Sequence, residues 1–282
     1  MPSELLLHHT TVTAPGAQPS RYLLVLHGIL GSGGNFRSFV RRLSAARPEW
    51  GFVLVDLREH GQSLGAPPPH TLAAAAGDLV RLEASLGLPV SGVMGHSFGG
   101  KVALAFTQAR QSEGGGELDE AWILDASPGT RRDRSGMTER VLGMLRSIEW
   151  PLPSRESFLH IAGEHGFSPA IAEWLAMNVR RTSDEKNEGV TLRLDLDAIG
   201  AMLEDYFSVD LWPALEAAHG ARSFHVVVAG DSDAYDAADR ARLSAIAGKN
   251  PRVHAHLVEG AGHWVHVDKP DALFELLRRN LA

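Results

Sequence analysis

The chain has 282 residues, 44% hydrophobic and 22% charged, the balance of a globular protein that can bury a full core and has no long disordered stretch. Its formal charge of −7 argues against nucleic acid or an anionic membrane as a main partner, because both call for a basic surface. The absence of cysteine excludes disulfides, thiolate zinc sites and a cysteine nucleophile.

Met1-Pro2-Ser3-Glu4-Leu5-Leu6-Leu7 has no basic segment before its short apolar run, so no signal peptide is expected. No later segment reaches the roughly 18 apolar residues of a membrane span. A cytoplasmic protein is the expectation. Residues 4–12 read as an opening strand, and Ala14-Pro15-Gly16 begins a turn. The continuous apolar run Tyr22-Leu23-Leu24-Val25-Leu26 has the character of a strand buried on both faces of a parallel sheet. It ends in His27-Gly28-Ile29-Leu30-Gly31-Ser32-Gly33-Gly34, whose glycines let the backbone turn sharply and present its N–H groups. A helix at 36–46, a strand at 52–55 and a helix at 71–86 continue the alternation of an α/β fold with right-handed crossovers.

Val93-Met94-Gly95-His96-Ser97-Phe98-Gly99-Gly100-Lys101 follows a short strand at 90–94 and opens an Ala-rich helix. Gly95, Ser97 and Gly99 satisfy G-x-S-x-G, the turn that lifts a nucleophilic serine above the sheet and needs neighbours without a Cβ. An oxyanion beside Ser97 would meet the N–H of Phe98 at the helix start and that of Ile29 or Leu30 in the first glycine loop. Gly95 to Lys101 also matches G-x-x-x-x-G-K, the phosphate-binding loop of nucleotide hydrolases. That reading lacks the Ser or Thr that ligates Mg²⁺, since Val102 follows the lysine.

The strand at 121–124 delivers Asp125. From about residue 130 strands give way to helical segments at 137–148, 154–165, 169–180 and 196–207, read as an inserted helical cap spanning 130–218. The core then comprises 1–129 and 219–282. Within the cap, Trp174 and Leu175 belong to an apolar stripe that packs or lines an acyl pocket. The strand pattern returns at 224–229, followed by Gly230-Asp231-Ser232-Asp233, and a last strand at 254–258 leads to Gly260-Ala261-Gly262-His263-Trp264. His225, His254 and His256 are read as strand histidines, since their spacing supplies no metal site.

A serine hydroxyl needs an imidazole to accept its proton and a carboxylate to hold that imidazole in the right tautomer. His263, on a glycine-flanked loop after the last strand, is the candidate base. Asp233 is the expected acid because its turn neighbours the histidine loop, with Asp125 as the alternative. His27, His96, Trp174, Leu175 and Trp264 are the candidate substrate contacts.

Several stretches together resemble the α/β-hydrolases with a helical cap, and most of all the YbfF-type bacterial esterases and their mitochondrial abhydrolase relatives. They are His27-Gly28 with Gly31-Ser32, Asp56-Leu57-Arg58 with His60-Gly61 and Ser63, Gly95 through Lys101, and Gly262-His263-Trp264-Val265-His266 with Lys269-Pro270. Those relatives usually carry Asn where this chain has Glu59. The resemblance implies a mostly parallel central sheet flanked by helices, with the cap inserted after the sixth strand. It also implies a serine hydrolase of carboxyl esters or acyl thioesters, monomeric or dimeric, needing no cofactor or metal. A hydrolase-fold protein that binds ligands without catalysis is the alternative class.

Overall fold

The computed structural model describes residues 6–131, 136–182 and 188–282. Among them, seven strands build one sheet: β1 (His9–Val12), β2 (Arg21–Leu26), β3 (Trp50–Val55), β4 (Val90–His96), β5 (Leu118–Leu124), β8 (Ala221–Ala229) and β9 (Val253–Val258), in the order β1-β3-β2-β4-β5-β8-β9. Only β1 runs antiparallel to its neighbour; the remaining pairs are parallel. All six residues of β3 are buried, as a strand covered by helices on both faces requires. The core helices are α1 (Arg37–Ala46), α2 (Leu72–Leu86), α3 (Phe98–Ser112), α9 (Ala237–Lys249), α10 (Val265–Asp268) and α11 (Pro270–Asn280). Because the central strands are parallel, their C-terminal ends share one edge, and the loops carrying Ile29, Ser97, Asp125, Asp233 and His263 all rise there. This is where open α/β sheets place their sites.

Between β5 and β8 the chain leaves the sheet. This segment contains α4 (Met137–Ser147), α5 (Arg155–Glu164), α6 (Pro169–Leu175), α7 (Leu196–Ser208) and α8 (Trp212–Ala217). Sharp sequence signals set several of these ends: Ser154 and Ser168 cap α5 and α6 with their side chains, and the Asp195 carboxylate accepts two N–H groups at the start of α7, satisfying donors that have no partner inside the helix.

Three expectations change. The helix anticipated over 169–180 stops at Leu175, and after a 3-10 turn at Ala176–Asn178 the chain forms β6 (Val179–Arg181), paired with β7 (Val190–Leu192). The inserted segment is therefore not all-helical; Leu152 also bridges to Val190, on the other side of β7 from β6. The insertion follows the fifth strand of the described residues rather than the sixth. The anticipated opening strand is shorter than 4–12, and Glu4 and Leu5 lie outside the described residues.

Candidate active site

Ser97 sits between β4 and α3 with φ 52° and ψ −118°, a backbone conformation that L-residues avoid. The surrounding glycines make it possible. A Cβ on Gly95 would lie 1.9 Å from the carbonyl oxygen of Gly99, and one on Gly99 would lie 2.4 Å from that of His27. Strand, turn and helix thus approach more closely than any side chain permits. The Ser97 N–H donates to the Leu124 carbonyl at 3.0 Å, tying the elbow to the next strand.

His263 bridges Ser97 to a carboxylate. Its Nε2 is 2.9 Å from Ser97 Oγ and its Nδ1 is 2.8 Å from Asp125 Oδ2. With Asp125 accepting from Nδ1–H, Nε2 is left as the acceptor for the serine proton. Asp125 is fully buried, and its other oxygen accepts the Ala229 N–H at 3.0 Å.

This geometry corrects the preference for Asp233. Asp125 has φ 46° and donates its own N–H to the Val227 carbonyl, so the chain turns at the end of β5 and lays the carboxylate across the end of β8. The loop from β9 folds back over that same strand end. Asp233 instead lines the cavity at Ser97 together with Arg131, whose guanidinium donates to the Asp233 carbonyl. Among the described residues its carboxylate makes no bond to His263.

The glycine loop separates the two oxyanion candidates on it. The Leu30 N–H donates to His60 Nε2 at 3.0 Å and is not available to substrate. Ile29 and Phe98 line the same cavity as Ser97, and no backbone acceptor among the described residues takes either N–H. A Cβ on Gly28 would lie 3.1 Å from His96 Nδ1 and 3.4 Å from Ser97 Cβ, so the loop passes close beside the elbow.

The remaining candidates divide. Trp174, Trp264 and His96 line a cavity of about 70 Å³ that also contains Ser97 and His263; the two indoles meet edge to face at 5.8 Å. His96 donates from Nε2 to the His263 carbonyl at 2.7 Å, and burial holds its pKa well below the ordinary value, so it fixes the histidine loop as a neutral strut. His27 touches no substrate space. It bonds Gly28 O and receives the Leu57 N–H, and burial lowers its pKa too. Leu175 is buried in the core rather than facing the cavity, because α6 turns its Trp174 side toward the site.

Three further residues shape the site in roles that no motif assigned. Tyr206 of α7 lines the cavity beside Ser97; burial pushes its hydroxyl up to about 12, so it stays protonated. Lys101, one turn into α3, is buried and donates to the carbonyls of Gly129, Tyr206 and Val209 at 2.6–2.9 Å. It caps the C-terminus of α7, and its engaged ammonium leaves nothing for a phosphate, which ends the nucleotide-loop reading. Asn178 donates to the Leu30 carbonyl at 2.8 Å. Only a polar residue at the end of an apolar helix stripe could have hinted at that contact. Glu59, the departure from the resemblance, has φ 60°, where Asn is more at ease. Its carboxylate compensates by accepting the Ala66 N–H.

Residues 23–276 match the model of the alpha/beta hydrolase family, and the chain belongs to that family. It is 24% identical to Esterase YbfF of Escherichia coli over 95% of this chain and 96% of that protein. It is 25% identical to the sn-1-specific diacylglycerol lipase ABHD11 of Danio rerio over 90% of this chain and 76% of that one. A solved marine microorganism esterase superposes with a TM-score of 0.78 at 22% identity, covering 98% of this chain and 99% of its own.

Proposed function

We propose that this member of the alpha/beta hydrolase family is a serine esterase. Ser97 attacks the ester carbonyl, His263 Nε2 takes the hydroxyl proton, and Asp125 holds the Nδ1–H tautomer and stabilises the imidazolium that forms. The N–H groups of Ile29 and Phe98 receive the developing oxyanion. The alkoxide leaves with the proton from His263, and water, activated by the same imidazole, releases the acyl group from Ser97. The observation that carries this reading is the single imidazole within hydrogen-bond distance of both Ser97 Oγ and a fully buried carboxylate.

The substrate is a small-molecule acyl ester. Relatives named as an esterase and a diacylglycerol lipase and the apolar walls that Phe98, Leu203 and Phe207 give the cavity both favour an acyl group there. Acyl thioesters pass through the same acyl-enzyme and belong to the same substrate set. Residues 130–218 act as a cap over a core formed by 1–129 and 219–282, and set substrate range through Trp174 and Tyr206. No helix among the described residues is long and apolar enough to cross a membrane; we assign the enzyme to the cytoplasm.

The test is covalent labelling with a fluorophosphonate, combined with hydrolysis of p-nitrophenyl esters of graded chain length and matched acyl-CoA thioesters. Ser97→Ala should fold, resist labelling and hydrolyse nothing. Labelling that persists on this variant would remove Ser97 from the mechanism.

A further inference from the structure

The loop that presents the Ile29 N–H is held in a conformation its own sequence disfavours. Leu30 has φ 63°, a left-handed backbone that a branched aliphatic side chain resists, and it is buried. Glycine, the usual residue for such a turn, is absent at this position, so something must hold the peptide. Two side chains do, one on each face. The Leu30 N–H donates to His60 Nε2 at 3.0 Å, while His60 Nδ1–H donates to the Arg58 carbonyl at 2.8 Å. Burial lowers His60 to about 3, which keeps the ring neutral and Nε2 an acceptor. The Leu30 carbonyl accepts from the buried Asn178 amide.

These clamps come from different parts of the molecule. His60 belongs to the core, directly after β3. Asn178 belongs to the inserted segment, at the end of the 3-10 turn that breaks the expected helix. Four residues before it, Trp174 forms a wall of the cavity at Ser97 and His263. One short stretch of the insertion therefore both contacts substrate space and holds the residue next to the Ile29 N–H.

We propose that Asn178 is a positioning residue for the oxyanion hole: its hydrogen bond to the Leu30 carbonyl keeps Ile29 N–H aimed at the developing oxyanion and couples that aim to the seating of the insertion. The inference rests on the serine-esterase reading. It assigns the insertion a part in transition-state stabilisation as well as in substrate range. An interaction that matters only once charge develops on oxygen affects kcat and leaves ground-state binding alone.

The experiment compares the wild type with Asn178→Asp, which keeps the shape and removes the donor, and Asn178→Leu, which removes it without introducing a buried charge. Met177→Ala, at an exposed neighbouring side chain, is the control. For p-nitrophenyl butyrate, both Asn178 variants should lose about tenfold to a hundredfold in kcat, the scale on which misplacement of a catalytic group is felt, with KM within about twofold. The affinity for a phenylboronic acid, whose serine adduct places an oxygen in the hole, should fall by a similar factor. Replacing Leu30 by Gly, which adopts the left-handed turn without strain, should make the Asn178→Leu change cost less than it does in the wild type. A variant that folds, as judged by its thermal transition, and keeps wild-type kcat and boronate affinity overturns the proposal, as does a loss confined to KM. If the wild type itself shows no Ser97-dependent labelling, the esterase reading has failed first.

Discussion

Asp125 and His263 lie 138 residues apart in the chain and 2.8 Å apart in the fold, with the carboxylate fully buried and its second oxygen occupied by the Ala229 N–H. This leaves Asp125 no freedom except to orient the imidazole. Asp125→Asn should lower kcat by up to about 10⁴, as happens when a triad carboxylate becomes an amide in another serine hydrolase. Asp233→Asn should stay within a few-fold of wild type. Steady-state hydrolysis of p-nitrophenyl acetate by the two single variants and the double decides; collapse of Asp233→Asn with Asp125→Asn intact would reverse the assignment.

The elbow tolerates no side chain at Gly95, where a Cβ would meet backbone 1.9 Å away. Neither strand nor helix can retreat without losing its packing, so Gly95→Ala should cost about 3 kcal/mol or more, the upper end for overpacked sites. Gly143 in α4 has open space around its absent Cβ, and Gly143→Ala should stabilise by about 0.5–1 kcal/mol through helix propensity. Urea unfolding of the two variants checks both signs together.

Trp174 and Leu175 are adjacent but do different jobs. Trp174→Ala should widen the cavity at Ser97 and shift the preferred acyl chain length upward. Leu175→Ala should cost about 2–5 kcal/mol of stability, as truncation of a buried leucine does, and leave the chain-length profile unchanged. A profile that moves with Leu175 and not with Trp174 would mean that the wall has been misassigned.

Burial lowers several histidines far below 6.5: His60 and His225 to about 3 and His266 to about 4. Their folded pKa values lie below the unfolded ones, so between about pH 6.5 and 4 the unfolded chain binds protons that the folded protein refuses. Stability must therefore fall as pH falls through that window and level off above it. His225 is stacked on Trp122 and bonded to His256 at 3.0 Å, with His254 the other titratable neighbour. His225→Gln should flatten the slope by about 1.4 kcal/mol per pH unit, the contribution of one proton. Denaturation midpoints measured from pH 4 to 8 would show it; an unchanged slope would mean that His225 titrates alike in both states.

The buried Lys101 side chain donates to three part-buried carbonyls. Lys101→Met fills the same space with apolar atoms and strands those acceptors, each worth about 1–3 kcal/mol when left unsatisfied. Stability should drop by about 3 kcal/mol or more, and α7, which carries Tyr206, should become more susceptible to limited proteolysis before the core sheet does.

Much of this was legible in the chain. The alternation of apolar strands and amphipathic helices gave the parallel sheet, and β3, β4 and β9 appear where their apolar runs stand. The helix read at 71–86 starts within a residue of its expected place, with Thr71 accepting the Ala74 N–H as its cap. The helix expected through Arg180 ends at Leu175. In the fold, the Asn178 side chain is drawn to Leu30, and 179–181 gain a strand partner in 190–192; both are tertiary contacts that outweigh local propensity.

By itself the sequence determined what depends on neighbours along the chain: the α/β alternation, the glycine-framed elbow at Ser97 and a histidine on a free loop. The tertiary structure alone decided which carboxylate faces His263, which loop N–H stays free and whether Trp174 or Leu175 lines the cavity. Each is a competition between partners more than a hundred residues apart or on opposite sides of a loop. Asp125 prevails over Asp233 because a left-handed turn lays it across β8, and Ile29 over Leu30 because the Leu30 N–H already donates to His60. Chain order carries no distances of that kind, so no reading of the pattern could have ranked them.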